Sequence, residues 1–489
     1  MELDAVPGLV WRRVSERIAG TMGLNFPEGR WADMHRALDR AATEFGHTSA
    51  ATLAEWLLTH ELSPSQLRLL ASYLTVGETY FFRERKTFEA LVKHVLPPLL
   101  DAKRKRERRL RIWSAGCCTG EEPYSLSILL TQVIPDLADW HVSILATDIN
   151  ERFLQKASAG LYSDWSFRET SPDFKQRYFQ RQPDGLYAIL PEIKQRVRFA
   201  SLNLVEDVFP SLTTDTNAMD LIFCRNVLMY FTPAQAMKVI GNLRRALVDD
   251  GWLVVSPTEA SQALFSEFKT SNYPGVILYQ KATPQDRQAG IWNPPEPAAP
   301  PLWIPPEPPP TPAPEAPAMQ SAPPPSARTL AAQQYENGDY ADAVETLLSS
   351  STPPCTSRDY SLLAHSLANL GRLDDALEWC DRWVISDKLD ASAHYLRAIT
   401  LQELDRFEDA RLSLHGAIYL EPDLILAHFA LGNLARNRDR HAEADKHFAN
   451  ALDLARRHSA DTVLPESDGL TAGRLAEIIT SLLSLESIS

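Results

Sequence analysis

The chain has 489 residues, too long for one ordinary domain, and its 44% hydrophobic and 23% charged residues are the balance of a globular protein. No apolar run reaches the ~18 residues of a membrane span, the N-terminus MELDAVPGLV lacks the layout of a secretory signal, and five cysteines form neither a disulfide framework nor a zinc-ligand pattern, so the expectation is a cytoplasmic protein without membrane insertion or metal. Before residue 284, 33 basic residues balance 33 acidic ones; beyond it stand 16 and 30, which places the whole net charge of −14 in the second part and makes that part a poor nucleic-acid binder.

Four stretches open the chain with apolar residues at helical spacing: WRRVSERIAGTMGL, RWADMHRALDRAATEFG, TLAEWLLTH and PSQLRLLASYLT. Residues 1–76 therefore read as an N-terminal helical subdomain. The basic run KRKRERR (103–109) reads either as a solvated helix end or loop, or as a docking patch for an acidic partner. From residue 110 strands and helices alternate. LRIWSAG leads into EPYSLSILLTQVI, and HVSILATDIN into ERFLQKASAG. RVRFASLNL follows, and MDLIFCRNVLMYF leads into PAQAMKVIGNLRRAL. GWLVVSP and GVILYQKA close the series, with a short helix between them and the last strand as an antiparallel edge. Such alternation specifies a doubly wound, mostly parallel sheet, here over residues 77–283. Residues 160–196 do not fit one crossover and read as an inserted small subdomain.

Residues 284–327 hold 17 of the 35 prolines. Proline lacks a backbone donor and fixes φ, so this stretch is an extended spacer of ~3.1 Å per residue. Beyond it Ala343, Ala376, Ala410 and Ala444 recur 33, 34 and 34 residues apart. Each opens an apolar helix, and a small residue (Ala332, Ala364, Ala398, Gly432) precedes it by eleven or twelve positions. This pattern resembles the tetratricopeptide repeat, a helix pair that stacks into an all-α solenoid with a protein-binding groove, over residues 328–460. GLTAGRLAEIITSLLSLES (469–487) supplies a final amphipathic helix within a C-terminal cap, 461–489.

In a doubly wound sheet the ligand sits beyond the carboxyl ends of the strands. The first strand ends in Gly116-Cys117-Cys118-Thr119-Gly120-Glu121-Glu122, which is neither a dinucleotide fingerprint nor a P-loop. The second ends at Asp148, whose carboxylate suits two ribose hydroxyls and fits NAD or S-adenosylmethionine equally. The first turn separates the two. Carboxylates repel a pyrophosphate, whereas S-adenosylmethionine carries no phosphate and brings a sulfonium and an α-amino group. Glu122 is expected to touch the cofactor, Glu121 to cap the helix, and the two cysteines to pack under the turn.

TYFFRE (79–84), WSAGCCTGEEPYS (113–125), ATDIN, SLNL (201–204) and FCRNVLMYF (223–231) resemble, in order, the CheR family of chemoreceptor glutamate methyltransferases over roughly residues 10–283. The repeats behind a proline linker are similar to a subgroup that includes the Wsp-type surface-signalling enzymes. The resemblance implies a Rossmann-like methyltransferase fold, S-adenosylmethionine as cofactor, S-adenosylhomocysteine as product, and methyl transfer to glutamates of a receptor's cytoplasmic domain. It implies cofactor contacts from Thr79, Arg83, Glu122, Asp148, Asn203, Leu204, Arg225 and Asn226. Arg83 and Tyr230 become the expected catalytic pair, and Arg12, Arg13, Arg17, Arg36 and Arg40 the receptor contacts. Two departures stand out. Gly77 replaces a common asparagine, so only a backbone contact is expected there, and SPTE (256–259) replaces a GHSE-like segment and is expected to reshape the rim.

The insertion resembles the family's β-subdomain, but its loop FQRQPDGLY (179–187) is short with one glycine, which implies independence from a receptor pentapeptide tether. The rival expectation is a cofactor-binding scaffold in which the repeats, with a partner the sequence does not name, are the main module. A nucleic-acid methyltransferase is disfavoured by the CRNV segment and by the charge balance.

Overall fold

The structure, a computed structural model, describes residues 8–105, 107–205, 209–283, 286, 326–350, 354 and 356–486. The expected proline spacer lies almost wholly outside the described residues.

Four helices open the chain as expected: α1 (Gly8–Met22), α2 (Trp31–Ala42), α3 (Ala50–Thr59) and α4 (Pro64–Leu74). Ser49 and Ser63 cap α3 and α4 with reciprocal capping boxes, which satisfy N–H groups that a helix start leaves orphaned. Trp11, Val14, Ile18, Met34, Leu38, Leu53, Leu57 and Leu70 form their shared core. A helical stretch absent from the expected elements follows: α5 (Arg85–Ala90), one π-turn (Leu91–Val95) and α6 (Leu96–Arg104). Its Phe88, Leu91, Leu96 and Leu100 pack under the sheet.

The main sheet contains β1 (Arg109–Ala115) and β2 (His141–Asp148), joined by α7 (Glu121–Val133). After α8 (Glu151–Ala159) comes the insertion: β3 (Leu161–Tyr162), α9 (Pro172–Tyr178), β4 (Phe179–Arg181), β5 (Tyr187–Ile189) and α10 (Pro191–Lys194). Its three strands form a separate antiparallel sheet in the order β3-β5-β4. The main sheet resumes with β6 (Val197–Ser201), β7 (Met219–Phe223), α11 (Pro233–Ala246), β8 (Leu247–Val254), β9 (Phe268–Tyr273) and β10 (Val276–Lys281). Its order is β6-β2-β1-β7-β8-β10-β9. The first five strands run parallel, while β10 pairs antiparallel with both β8 and β9. The segment between β8 and β10 is therefore not the expected short helix; it contains the edge strand β9. FKTSNY buries Phe268 and alternates outward polar residues, a period-two pattern with a single strong apolar position.

The basic run joins α6 to β1, and its described cations are mostly paired within the chain. Lys103 meets Asp220 at 2.5 Å, Arg104 meets Asp136 at 3.0 Å and Arg108 meets Asp139 at 3.4 Å. Among the described residues of the run, Arg109 reaches an acidic surface of another domain, at Glu403 and Asp405 of the repeats.

The repeats are four helix pairs: α12 (Ala327–Glu336) with α13 (Tyr340–Leu348), α14 (Ser357–Asn369) with α15 (Leu373–Ser386), α16 (Ala391–Glu403) with α17 (Phe407–Leu420), and α18 (Ile425–Arg436) with α19 (His441–Arg456). The helix α20 (Ala472–Glu486) closes the stack. Ala343, Ala376, Ala410 and Ala444 are fully buried, as are Ala364 and Ala398. A Cβ on Gly432 would lie 2.5 Å from the Phe448 ring, so that pair closes only on a glycine. In the first pair the buried small residue is Ala331, not Ala332; Ala332 is half-exposed.

Candidate active site

A cleft lies at the carboxyl ends of β1, β2, β6 and β7. Thr79, Arg83, Glu122, Asp148, Asn203, Leu204, Arg225, Asn226 and Tyr230 all stand in its wall. The turn between α1 and α2 (Leu24, Asn25, Phe26, Arg30) forms a further wall, with Phe153 of α8. Gly77 falls in an adjacent depression with Thr119 and Glu121.

The turn after β1 bends at Gly116 (φ 80°) and Gly120 (φ 93°), both in the left-handed region that favours glycine. A Cβ on Gly116 would stand 2.4 Å from Val227 Cγ2, so the absence of a side chain there keeps the turn against the β7 loop. Gly120 is the N-cap of α7, and Glu121 takes the first position of the helix, the end at which an acid was expected. Its buried carboxylate accepts from Thr119 Oγ1 at 2.6 Å and Ser166 Oγ at 2.9 Å, tying the insertion to the turn. Burial pushes its carboxyl up, against these hydrogen bonds. Glu122 faces the cleft: Ser114 Oγ donates to Oε1 at 2.7 Å, and Arg225 Nη1 to Oε2 at 3.0 Å. Cys117 is buried against Ala146 and Leu154, as expected of a packing residue.

Asp148 ends β2. Cys118 N–H donates to Oδ2 and Asn150 N–H to Oδ1, each at 2.9 Å. Burial raises its carboxyl to about 6 against these backbone hydrogen bonds. A carboxylate offers about four acceptor positions, so the group retains capacity beyond these backbone bonds.

The loop after β7 hangs on a residue the sequence reading left at the rim. Glu259 Oε2 accepts from Asn226 N–H at 2.7 Å and Ser256 N–H at 3.1 Å, and Oε1 from Val227 N–H at 2.7 Å and Met229 N–H at 3.2 Å. Four backbone donors on one carboxylate hold Asn226 in a left-handed conformation (φ 58°). Arg225, only 2% exposed at its side chain, bridges Glu122 and Glu84, and its Nη2 also donates to Arg83 O at 2.6 Å. That guanidinium locks the turn after β1, the β7 loop and the Thr79–Glu84 segment into one unit. Tyr230 follows, with Arg30 over its ring at 5.5 Å.

Of the motif TYFFRE, Thr79, Tyr80 and Arg83 face the cleft, while Phe81 and Phe82 are packing residues of the aromatic cluster around Phe174. A Cβ on Gly77 would lie 2.5 Å from the Phe153 ring, so the phenyl fills the space that a side chain at 77 would take. Asn203 Nδ2 donates to Thr21 O at 2.7 Å, tying the β6 exit to α1. Among the arginines expected at a receptor surface, Arg12 and Arg13 are exposed on α1. Arg17 donates to His60 O, Arg36 pairs with Asp33, and Arg40 donates to Tyr73 O.

Sequence reasoning missed Glu84, Phe153, Arg30 and Glu259. Glu84 lay inside a quoted motif and Glu259 inside SPTE, so position was available as a signal for both. Phe153 and Arg30 reach the cleft through tertiary packing alone.

Residues 77–276 match the family described as "CheR methyltransferase, SAM binding domain", and residues 360–382 a tetratricopeptide repeat. Chemotaxis protein methyltransferase 2 of Vibrio cholerae is 33% identical over 224 residues, covering 46% of this chain and 76% of that protein. Chemotaxis protein methyltransferase 1 of Pseudomonas aeruginosa is 36% identical over 218 residues, with 44% and 77% covered. The probable biofilm formation methyltransferase WspC of Pseudomonas aeruginosa is 28% identical over 397 residues, spanning 78% of this chain and 85% of that protein, so its likeness extends beyond the catalytic part. With the strand order, the carboxylate-bearing turn and these relatives in agreement, the chain belongs to the CheR family of chemotaxis protein methyltransferases.

Proposed function

We propose that the protein methylates glutamate side chains on the cytoplasmic domain of a methyl-accepting chemoreceptor, using S-adenosylmethionine and leaving S-adenosylhomocysteine and a glutamate methyl ester. The observation that carries this reading is the convergence of Asp148, Glu122, Arg83 and Tyr230 on one cleft whose turn carries carboxylates instead of phosphate-binding features. The donor set fits the cofactor. Asp148 has acceptor capacity for two ribose hydroxyls, Glu122 offers a carboxylate to an α-amino group, and Leu204 with Phe153 supplies apolar wall for an adenine. When bound, the cofactor supplies a methyl group already activated by a sulfonium.

The chain's own residues then need only position the substrate. A glutamate side chain, with an ordinary pKa near ~4.3, is ionised at neutral pH and needs no general base. Arg83 orients that carboxylate through its planar fork, and the Tyr230 hydroxyl donates to the same group or fixes the methyl. Holding the reacting groups in line can supply ~7–11 kcal/mol of the barrier. Arg225, paired on both sides, is a positioning residue for Glu122 and for the Arg83 backbone.

Arg12 and Arg13 are the arginines best placed to meet a receptor, since the other three are engaged within the helical subdomain. The insertion's loop closes tightly, with Gln182 N–H donating to Leu186 O at 2.8 Å, which supports independence from a pentapeptide tether. No described helix is long and apolar enough to cross a membrane.

Isothermal titration of the full chain with S-adenosylhomocysteine tests the cofactor assignment: one molecule per chain is expected, and no binding of it or of S-adenosylmethionine would sink the reading. A receptor-tail pentapeptide titrated in the same way is expected to give no heat, and micromolar binding would overturn independence.

A further inference from the structure

The repeat groove is not empty. Leu212, between β6 and β7 of the catalytic domain, packs against the apolar clusters of the first, middle and last repeats. Beside it Ser211 Oγ donates to Ser467 O at 3.4 Å, and Thr213 Oγ1 and Tyr395 Oη stand 3.3 Å apart. Around this anchor run ion pairs of one polarity. Arg109 meets Glu403 at 3.3 Å and Asp405 at 3.5 Å, and Arg111 also meets Glu403. His141 Nδ1 lies 2.7 Å from Asp405, and Arg244 meets Asp339 at 3.2 Å. Arginines of the catalytic domain thus face repeat carboxylates in these pairs, in keeping with the acidic balance of the second part of the chain.

Arg109 and His141 stand at the amino ends of β1 and β2, opposite the cleft. The repeats therefore do not cover the active site, yet they hold the segment that forms one of its walls. The chain leaves β6 along the cleft at Leu202, Asn203 and Leu204, and is in the groove by Ser211. At the start of that segment Arg474 of α20 donates to Ser201 O at 3.4 Å.

We propose that the repeat groove is a self-occupied docking site. Its occupant here is the Ser211–Asp215 segment, a competing partner is a basic segment with a central aliphatic residue, and exchange loosens the cofactor wall at Leu202–Leu204. The chemistry of the partner follows from what release leaves behind: an apolar slot that held Leu212, rimmed by Glu403 and Asp405 without Arg109 and Arg111. The coupling rests on the cofactor assignment above, because it takes the cleft to be the cofactor site.

Two full-length variants approach the contact from opposite sides: Leu212→Asp, and Glu403→Lys with Asp405→Lys. Small-angle scattering reads docking by itself, and titration with S-adenosylhomocysteine reads coupling. Both variants are expected to expand the chain and to weaken binding at least ~fivefold, the low end of ordinary site-to-site coupling. Unchanged scattering in both would overturn the docking. Expansion with affinity within about twofold of wild type would overturn the coupling. Failure of the wild type itself to bind would instead count against the cofactor reading. A synthetic peptide with a central leucine flanked by arginines is expected to expand the wild-type chain, and its glutamate-flanked counterpart to leave it compact; equal effects would overturn the partner chemistry.

Discussion

At the scale of single residues, the two carboxylates that matter most do different work. Asp148 is the charged acceptor of the cofactor wall. Asp148→Asn removes a charge-assisted hydrogen bond worth ~1.5–3 kcal/mol, so S-adenosylhomocysteine affinity should fall at least ~tenfold by titration calorimetry. Burial raises the Asp148 carboxyl to about 6, and hydroxyl donors favour its ionised form. Binding should therefore release a proton near that pH, and affinity should be roughly tenfold weaker at pH 5 than at pH 7. The unliganded fold loses stability from the same group as pH rises toward 6, because the unfolded chain ionises first. Glu259 acts through the backbone. Glu259→Gln leaves at most one oxygen for four donors, and unsatisfied buried donors cost ~1–3 kcal/mol each. The variant should melt lower and lose methyl transfer, with far-UV circular dichroism retained. Asp148 was legible because it ends a strand in an ATDIN motif. Glu259 was not, because its partners lie some 30 residues away along the chain and meet it only in the folded loop.

At the scale of elements, strong patterns were legible and weak ones were not. The helical spacing of the first four helices, the strands LRIWSAG and HVSILATD, and the alanine period of the repeats all carry local signals that the structure honours. The edge strand β9 was hidden because FKTSNY is mostly polar, as an edge tolerates. The choice between Ala331 and Ala332 depended on one residue of register that composition does not fix. The Gly77–Phe153 contact makes the family departure at 77 intelligible as a steric exchange. Gly77→Asn alone should weaken S-adenosylhomocysteine binding, since its Cβ meets the ring at 2.5 Å. Adding Phe153→Ala should restore part of that loss; no recovery in the double variant would separate the two positions. Gly432→Ala should destabilise the repeats by ~1–3 kcal/mol through overpacking against Phe448, read as a lower melting temperature.

At the scale of the whole molecule, the charge division between the two parts of the chain was legible, but its use was not. Ion pairs such as Arg111–Glu403 join residues nearly 300 positions apart, and nothing local marks them. The fold presents three surfaces: the cleft at the carboxyl ends of the strands, Arg12 and Arg13 on the helical subdomain, and the repeats, which pair with the amino ends of β1 and β2 and reach the end of β6 without lining the cleft. A receptor helix can thus approach the cleft while the repeats remain docked.

The most direct test of the central claim is transfer from tritiated S-adenosylmethionine to the cytoplasmic domains of candidate chemoreceptors by the full-length protein. The account predicts base-labile label, as expected of a methyl ester, on glutamates of at least one receptor, lost with Arg83→Ala. Base-stable label, or no label on any receptor from a protein that binds the cofactor, would contradict it.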